Sequence, residues 1–369
     1  MANETPSIQA VVAAANGGPT PSPSPEEDRI MARLGAEAKD EMEMVALHAA
    51  AGKAARGEEE EDDYYLGEAN DNEADAREFR DTWNRIFSDV NGCFEDTTKI
   101  PNKRYTFKKP KWPQWASEPT TLQIFSVKVA RIRGGLRWPL HVFGMVAIRD
   151  CADQNRNMIF DRSRDNCQIL TQEVPYLKLT GPSRAVMLSD PATFEVNLKV
   201  KGTTESDDEC LSFLAVSYIN YEGVHSYHLT REYHSRLSTL EFALGSMSFS
   251  VEATIALRIT SGDWPSGFRA KFTASTTSIS CAKVILLDSG DDKVSVVGHA
   301  RNITLSRSVV SVEYFAEQLE VCAKALQGDH VVAGRHMFFK ARKDGVSDGT
   351  LRLGFCTLGV TIYWSLIGY

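Results

Sequence analysis

Residues 239–255 (TLEFALGSMSFSVEATI) and residues 350–366 (TLRLGFCTLGVTIYWSL) carry the same apolar pattern, 111 residues apart. Large apolar side chains occupy alternate positions in both. This spacing is typical of β-strands that bury one face, and its recurrence indicates an internally duplicated β body. Residues 249–259 fit both the last strand of one copy and the first strand of the next. The pattern therefore predicts one body with pseudo-symmetric halves that share this strand.

A second pair of similar segments supports duplication. The motif Arg-Ile-x-x-Gly, followed closely by Trp-Pro, occurs at residues 131–139 and again at residues 258–265. Glycine permits positive φ, and proline cannot extend a central strand, so each motif predicts a corner after a strand. We expect Trp138 and Trp264 to occupy equivalent places. Both are candidate binding-surface residues, and as exposed tryptophans they would suit a lectin-like carbohydrate binder.

The rest of the chain from residue 118 to residue 369 also resembles a series of strands. Phe194, Val196, Leu198 and Val200 alternate with polar residues, and similar runs occupy residues 211–219, 282–287, 309–314, 319–325 and 336–341. Gly, Pro and Asp separate the runs, and no helical pattern interleaves with them. This order favours an all-β, antiparallel, β-sandwich-like body over a parallel α/β sheet.

The N-terminal region differs in charge from this body. Residues 1–75 contain 18 acidic and 5 basic side chains, a net charge of −13, which leaves +5 for the remainder. Their composition lacks the large apolar groups that a core needs. We predict that residues 1–71 form a disordered acidic arm, with a marginal helix at residues 26–56. Such an arm is usually solvated, although it could shield the body or contact a partner.

Residues 72–117 are predicted to contain a short amphipathic helix and a linker. Phe79, Trp83, Ile86 and Phe87 follow one another at helical spacing and form an aromatic stripe that needs a partner surface. This stripe predicts a helix docked on the β body, with a protein-binding motif as the alternative.

The linker at residues 103–115 (KRYTFKKPKWPQW) is both basic and aromatic. Its cations could contact phosphates while its rings stack on bases, as in proteins that bind single-stranded nucleic acids. Lys108-Lys109-Pro110-Lys111 also resembles a short nuclear-import signal. Aromatic residues at the entrance to a domain more often anchor the chain, so we expect a structural role first.

The densest polar stretch spans residues 149–165. Its four aspartates, Asp150, Asp153, Asp161 and Asp165, could bind calcium at the end of a β-sandwich. Four arginines accompany them: Arg149, Arg156, Arg162 and Arg164. The balance of charges favours an internal salt-bridge network. We retain Arg149, Arg162, Arg164 and Asp165 as binding-surface candidates.

No motif for catalysis, a cofactor or a metal is present in the sequence. There is no GxSxG elbow, no P-loop, no GxGxxG after a strand, and no zinc-ligand spacing around the clustered histidines. Seven cysteines without regular spacing, together with an N-terminus that lacks signal-peptide features, predict reduced thiols and a cytoplasmic protein, with the nucleus as an alternative. We expect no membrane association.

Several ordered blocks carry a family resemblance. They include LQIFSVKVARIRGGLRWPLHVFGMVAIRD (residues 122–150), NMIFDRSRDNCQIL (residues 157–170) and FCTLGVTIYWSLI (residues 355–367). Together they resemble the plant family called domain of unknown function 6598, found mainly in grasses. The resemblance implies relatives labelled as ribosome-inactivating rRNA N-glycosidases. Those enzymes carry a Glu-Ala-x-Arg motif, whereas residues 73–77 (EADAR) are one residue too long.

These observations favour a non-enzymatic, intracellular binding module whose expected partner is a protein. An RNA-directed protein, supported by the family label, and a carbohydrate binder are the alternatives.

Overall fold

The computed structural model describes residues 58–112, 115–219, 225–290, 293–315 and 318–368, with side chains from residue 72 onward. Within these ranges, regular structure consists of one α-helix, two short 3-10 turns and antiparallel strands. The predicted all-β, sandwich-like fold is confirmed. The marginal helix predicted for residues 26–56 and the first 57 residues of the arm predicted for residues 1–71 lie outside the described residues. Residues 58–71, which were predicted to be disordered, form the start of a helix instead.

The first sandwich has two sheets. One contains β2, β6, β9 and β10 in the order β6-β2-β10-β9; the other has the order β4-β3-β7-β8, with β5 also pairing with β3. The bounds are β2 (Thr121–Ile132), β3 (Leu140–Arg149), β4 (Asn157–Arg162), β5 (Gln168–Leu170), β6 (Val186–Met187), β7 (Ala192–Val200), β8 (Glu209–Tyr218), β9 (Tyr227–His234) and β10 (Ser238–Met247). The short strand β1 (Ala116–Ser117) precedes them.

The second sandwich is built in the same way. Its sheets have the orders β14-β15-β11-β20-β19, with β16 also on β11, and β13-β12-β17-β18. The bounds are β11 (Ser250–Gly262), β12 (Arg269–Thr276), β13 (Val284–Asp288), β14 (Val296–Val297), β15 (Asn302–Ile303), β16 (Val309–Glu313), β17 (Gln318–Gln327), β18 (His330–Lys340), β19 (Gly345–Arg352) and β20 (Cys356–Ser365). A final strand, β21 (Ile367–Gly368), pairs with β1.

The shared strand order fixes which elements are equivalent. Strands β2, β3, β7, β8, β9 and β10 of the first sandwich correspond to β11, β12, β17, β18, β19 and β20 of the second. The predicted match between residues 239–255 and residues 350–366, which lie 111 residues apart, is therefore wrong. It aligns β10 with β19 and part of β20, whereas the equivalent of β10 is β20 alone. Strand β11 belongs to the second sandwich alone, so the predicted shared strand is also wrong. Alternation with period 2 is common to all half-buried strands and can match in several registers.

Each sandwich has its own core of alternating apolar side chains. In the first, Phe242 and Phe194 face each other from opposite sheets, with ring centroids 4.8 Å apart. In the second, Trp364 and Phe272 are fully buried, also on opposite sheets. The predicted strand with alternating Phe194, Val196 and Leu198 is confirmed as β7, where all three are buried.

A buried arginine links the two sandwiches. Arg307 precedes β16 and donates hydrogen bonds to the carbonyl oxygens of Ile124 (2.6 Å) and Phe125 (3.3 Å) on β2. Burial lowers its pKa to about 10. Phe125 itself packs into the core of the second sandwich, and the Gln123 side chain accepts a hydrogen bond from the Ser311 backbone. Residues of the second sandwich thus contact β2 both through hydrogen bonds and through packing of Phe125.

The helix α1 (Glu58–Asn91) contains the aromatic stripe of residues 79–87 and begins before residue 72, where the helical region was predicted to start. Acidic residues at its start are favoured by the helix dipole, which helps to explain this longer extent. Trp83 is 1% exposed, lies 5.4 Å from the Phe94 ring, and donates from Nε1 to the Gln154 carbonyl (3.0 Å). Ile86, in contrast, remains exposed. The helix is docked, as predicted, mainly through Trp83.

Candidate binding surface

Arg149 lies at the end of β3 beneath helix α1 and is only 1% exposed. Its guanidinium is centred 4.1 Å from the Phe94 ring and 5.0 Å from the Trp83 ring, and its Nε donates to Glu195 (2.9 Å). Burial lowers its pKa, while Glu195 opposes that effect. Arg156 also pairs with Glu195. Arg149 is therefore not a surface residue, and its assignment as a binding-surface candidate is wrong.

The aspartates of the same region are satisfied internally. Arg184 donates to both oxygens of Asp150 (2.7 and 2.8 Å) and to Asp153 (3.0 Å). Burial opposes the charge of Arg184, but the two carboxylates raise its pKa on balance. Asp161 lies farther along β4, opposite Met145, and does not join them. An internal network is therefore present, but its ion pairs do not join the four aspartates to the four arginines as predicted. Arg184 pairs with Asp150 and Asp153, and Glu195 pairs with Arg149 and Arg156.

The three remaining charged candidates lie at the opposite end of the first sandwich. Arg164, in the 3-10 turn Arg164–Asn166, pairs with Asp208 (2.9 Å), and this hydrogen-bonded partner raises its pKa. Arg162 donates to the Asn166 carbonyl, and Asp165 is exposed. The structure does not bring these residues together with Arg149, so they do not form one site with it.

Trp138 and Trp264 occupy equivalent connections, β2–β3 and β11–β12, as predicted. Both are half-buried against the core of their own sandwich. Trp264 Nε1 donates to the Phe268 carbonyl (2.8 Å), and its ring meets Phe272 edge-on. A cleft of about 570 Å³ lies beside Trp264. Much of each ring packs against the core, which leaves less of its surface for stacking with a ligand.

The motif implied by the N-glycosidase label lies on helix α1. Glu73 and Arg77 form an ion pair at 3.4 Å, one helical turn apart, with most of the Arg77 side chain in solvent. Pairs of this kind stabilise isolated helices modestly. This geometry is that of a surface salt bridge.

Between helix α1 and β2 lies the basic–aromatic loop, defined here as residues 103–112 and Trp115. Its start is fixed by backbone hydrogen bonds: Lys103 N donates to buried Glu252 (2.8 Å) and Tyr105 N donates to Ser365 Oγ (3.0 Å). The Thr106 carbonyl accepts from Gly345 N (3.0 Å). Its end leads into β1, which pairs with β21. The loop is thus held at both ends by the β body.

The aromatic side chains of this loop differ in exposure. Tyr105 is buried, but Phe107, Trp112 and Trp115 are 75%, 50% and 44% exposed. Phe107 meets Tyr363 edge-on at 6.3 Å, and the Trp112 and Trp115 rings are 6.5 Å apart. The anchoring role expected for these residues holds for Tyr105, whereas the other three present their rings to solvent.

The cations of the basic–aromatic loop have no carboxylate partner in the part of the chain whose side chains are described. Lys103, Arg104, Lys108, Lys109 and Lys111 form no ion pair with any carboxylate among the residues whose side chains the structure describes. Lys103 instead lies 4.6 Å over the Tyr363 ring, and Arg104 lies 5.3 Å over Tyr105. Five positive charges and three exposed rings therefore share one loop, an arrangement that can bind phosphates and stack on planar groups.

Other chemistry is sparse in the described residues. They contain no group of three or more His, Cys, Asp or Glu side chains arranged to hold a metal ion. All seven cysteines are free thiols, and two of them, Cys322 and Cys356, are buried. The one helix among the described residues has no apolar stretch that is long enough to cross a membrane.

Comparison with known families identifies the β body. The family model described as Domain of unknown function (DUF6598) matches residues 121–362, so the chain belongs to this family. No curated protein matches the chain.

Similar solved structures include the C2A and C2B domains of Extended-Synaptotagmin 2, at 9% identity and a TM-score of 0.24, covering 74% of this chain and 100% of that one. Another is human GIVD cytosolic phospholipase A2, at 7% identity and a TM-score of 0.22, covering 68% of this chain. The match spans about a third of the phospholipase chain (33%). Likenesses at these scores carry no inference about ligand or activity.

Proposed function

We propose that this member of the DUF6598 family is a non-enzymatic binding module that holds single-stranded nucleic acid on the basic–aromatic loop. One observation carries the proposal: three aromatic rings stay 44–75% exposed on a loop that the β body fixes at both ends. Exposed rings on a fixed support are ready for stacking because little conformational entropy is lost when a ligand binds.

The charges of the loop support an anionic partner. Its five cations have no carboxylate partners among the described side chains, so phosphates can approach them without displacing an existing ion pair. Binding of a polyanion then gains from release of the counterions around it. The acidic patch of a protein would also satisfy the lysines, but it would leave the exposed rings without a role.

The rings favour nucleobases over lipid. Residues 103–115 contain Phe, Tyr and Trp but no Leu, Ile, Val or Met. The exposed rings form separate pairs, Phe107 with Tyr363 and Trp112 with Trp115, rather than one apolar tip. Base–aromatic stacking on successive platforms is the usual way in which proteins bind single strands with little sequence preference.

The test is fluorescence anisotropy with labelled single strands of about 12 nucleotides, RNA and DNA of one sequence, at several salt concentrations. We expect log K to fall linearly with log salt. Lys108→Ala/Lys109→Ala/Lys111→Ala should make the slope shallower by about 2, since each phosphate contact on a single strand contributes about 0.7. Trp112→Ala should weaken binding roughly tenfold and leave the slope unchanged.

A matched control removes three exposed lysines elsewhere on the β body: Lys178, Lys199 and Lys324. Substituting these three by Ala should leave the affinity and slope near those of the wild type. Equal losses in the loop and control variants would indicate diffuse attraction and contradict the proposal. Loop-dependent binding to vesicles that contain phosphatidylserine, without binding to either oligonucleotide, would assign the loop to a lipid surface instead.

A further inference from the structure

A second pair of exposed aromatic rings lies where the two sandwiches meet. Phe249, in the turn between β10 and β11, has φ of +44°, a backbone conformation that costs free energy for a bulky residue. Its ring nevertheless remains 46% exposed, and that of Phe315 remains 59% exposed. The strain is therefore not offset by burial of the ring in the core.

The two rings are held in a defined arrangement. The Phe249 and Phe315 centroids are 5.6 Å apart at 76°, and Tyr314 contacts Phe315 at 5.2 Å. Tyr314 N donates to the Phe249 carbonyl (2.9 Å), which ties the β10–β11 turn to the end of β16. We call Phe249 and Phe315 the second platform.

The second platform is linked to the basic–aromatic loop through one lysine. Lys343 lies 5.0 Å over the Tyr314 ring and pairs with Glu118, which follows β1 directly. Ser250 N, next to Phe249, also donates to the carbonyl oxygen of Pro119 (3.0 Å), so the chain that leaves the basic–aromatic loop passes beside the second platform. A ligand that follows this chain from Trp115 would come next to Phe249 and Phe315.

We infer that the second platform is an additional base-stacking subsite, which a nucleic acid strand reaches only after it fills the basic–aromatic loop. This inference rests on the proposed function of that loop. It assigns the exposed rings of Phe249 and Phe315 to nucleobases, because they lie beside the chain that leaves the basic–aromatic loop. The cations of that loop, which pair with no carboxylate among the described side chains, favour a polyanion. Nucleic acid strands that span the basic–aromatic loop and the second platform should bind more tightly than strands that cover the loop alone.

The experiment compares single strands of about 4 and about 12 nucleotides, lengths within the range that one binding surface covers. The variant is Phe249→Gly/Phe315→Ala. Glycine accepts positive φ without strain, so this substitution should preserve the fold at position 249. We expect affinity for the longer strand to fall roughly tenfold and affinity for the shorter strand to stay unchanged. Circular dichroism and thermal melting check folding.

The control is Phe338→Ala, which removes a similarly exposed ring (49%) from β18. It should not alter binding of either strand. Unchanged affinity of Phe249→Gly/Phe315→Ala for the longer strand, while Trp112→Ala still weakens it, would overturn the second platform and leave the function of the loop intact. Absence of binding by the wild type to both strands would overturn both proposals.

Discussion

Two regions of this protein combine cations with aromatic rings, and they use them in opposite ways. Beneath helix α1, Arg149 lies against Trp83 and Phe94, and Glu195 neutralises it. On the basic–aromatic loop, Lys103 lies over Tyr363 while Lys108, Lys109 and Lys111 have no carboxylate partner among the described side chains. The first region is neutralised by described side chains of the same chain, whereas the second leaves its charges and most of its rings exposed.

The difference follows from burial. An uncompensated buried charge costs several kcal/mol, so a cation under a docked helix requires a carboxylate and hydrogen-bond acceptors nearby. An exposed lysine is hydrated and needs neither. Composition alone therefore cannot separate a structural cluster from a binding surface. Four measurements would break or sharpen this contrast.

The largest effect is expected at the buried ring. Trp83→Ala should lower the free energy of unfolding by about 3–5 kcal/mol, because it removes a large buried side chain and leaves a cavity beside Arg149. Chemical denaturation followed by circular dichroism measures this loss. Trp112→Ala, at a half-exposed ring, is the comparison and should change stability by less than about 1 kcal/mol. Similar losses in both variants would contradict the contrast.

The next effect concerns the buried carboxylate. Glu195→Gln keeps the shape of the side chain but removes the charge that two arginines share, and it should cost about 2–3 kcal/mol. The control is Glu241→Gln, which disrupts a partly exposed pair with Lys128 and should cost about 1 kcal/mol or less. Urea denaturation measures the free energy of unfolding of the two variants. A larger decrease for Glu241→Gln than for Glu195→Gln would refute the prediction.

A pH-dependent change in stability is expected for Glu252, which accepts a hydrogen bond from Lys103 N at the start of the basic–aromatic loop. Burial raises the pKa of Glu252 above its ordinary value of 4.5, so the folded state holds this proton more tightly than the unfolded state. The stability associated with the protonated group is present below 4.5 and is lost as the pH rises through the raised pKa. The stability advantage of the wild type over Glu252→Gln should therefore shrink across that window. Denaturation of both proteins in a pH series from 4.5 upward measures it, and a constant difference would count against this assignment.

The smallest effect is expected on the loop itself. Lys108→Ala/Lys109→Ala/Lys111→Ala should change the free energy of unfolding by less than about 1 kcal/mol, because these side chains are exposed and pair with no described carboxylate. Thermal melting at low and high salt measures it. A loss as large as that of Glu195→Gln would mean that the lysines stabilise the fold, which would remove the electrostatic support for a binding role.

The architecture was predictable where local pattern is enough. Alternating apolar residues located β7 and about half of the other strands, since one buried face imposes period 2. The aromatic stripe of residues 79–87 identified a docked helix, although Ile86 proved exposed. The repeat of the Trp-Pro motif placed Trp138 and Trp264 correctly at equivalent corners. The 111-residue register failed because alternation specifies a strand but not its counterpart.

The sequence by itself determined the class of fold, the positions of about half of the strands and the composition of the basic–aromatic loop, because these depend on neighbouring residues. Only the tertiary structure decided which charges are satisfied. Glu195 lies 46 residues from Arg149, and Arg184 lies 34 residues from Asp150, so no local spacing reveals either pair. The same holds for Phe107, Trp112 and Trp115, whose rings stay exposed because no surface of the β body covers them fully. Whether a side chain is buried depends on which distant segment the fold brings against it.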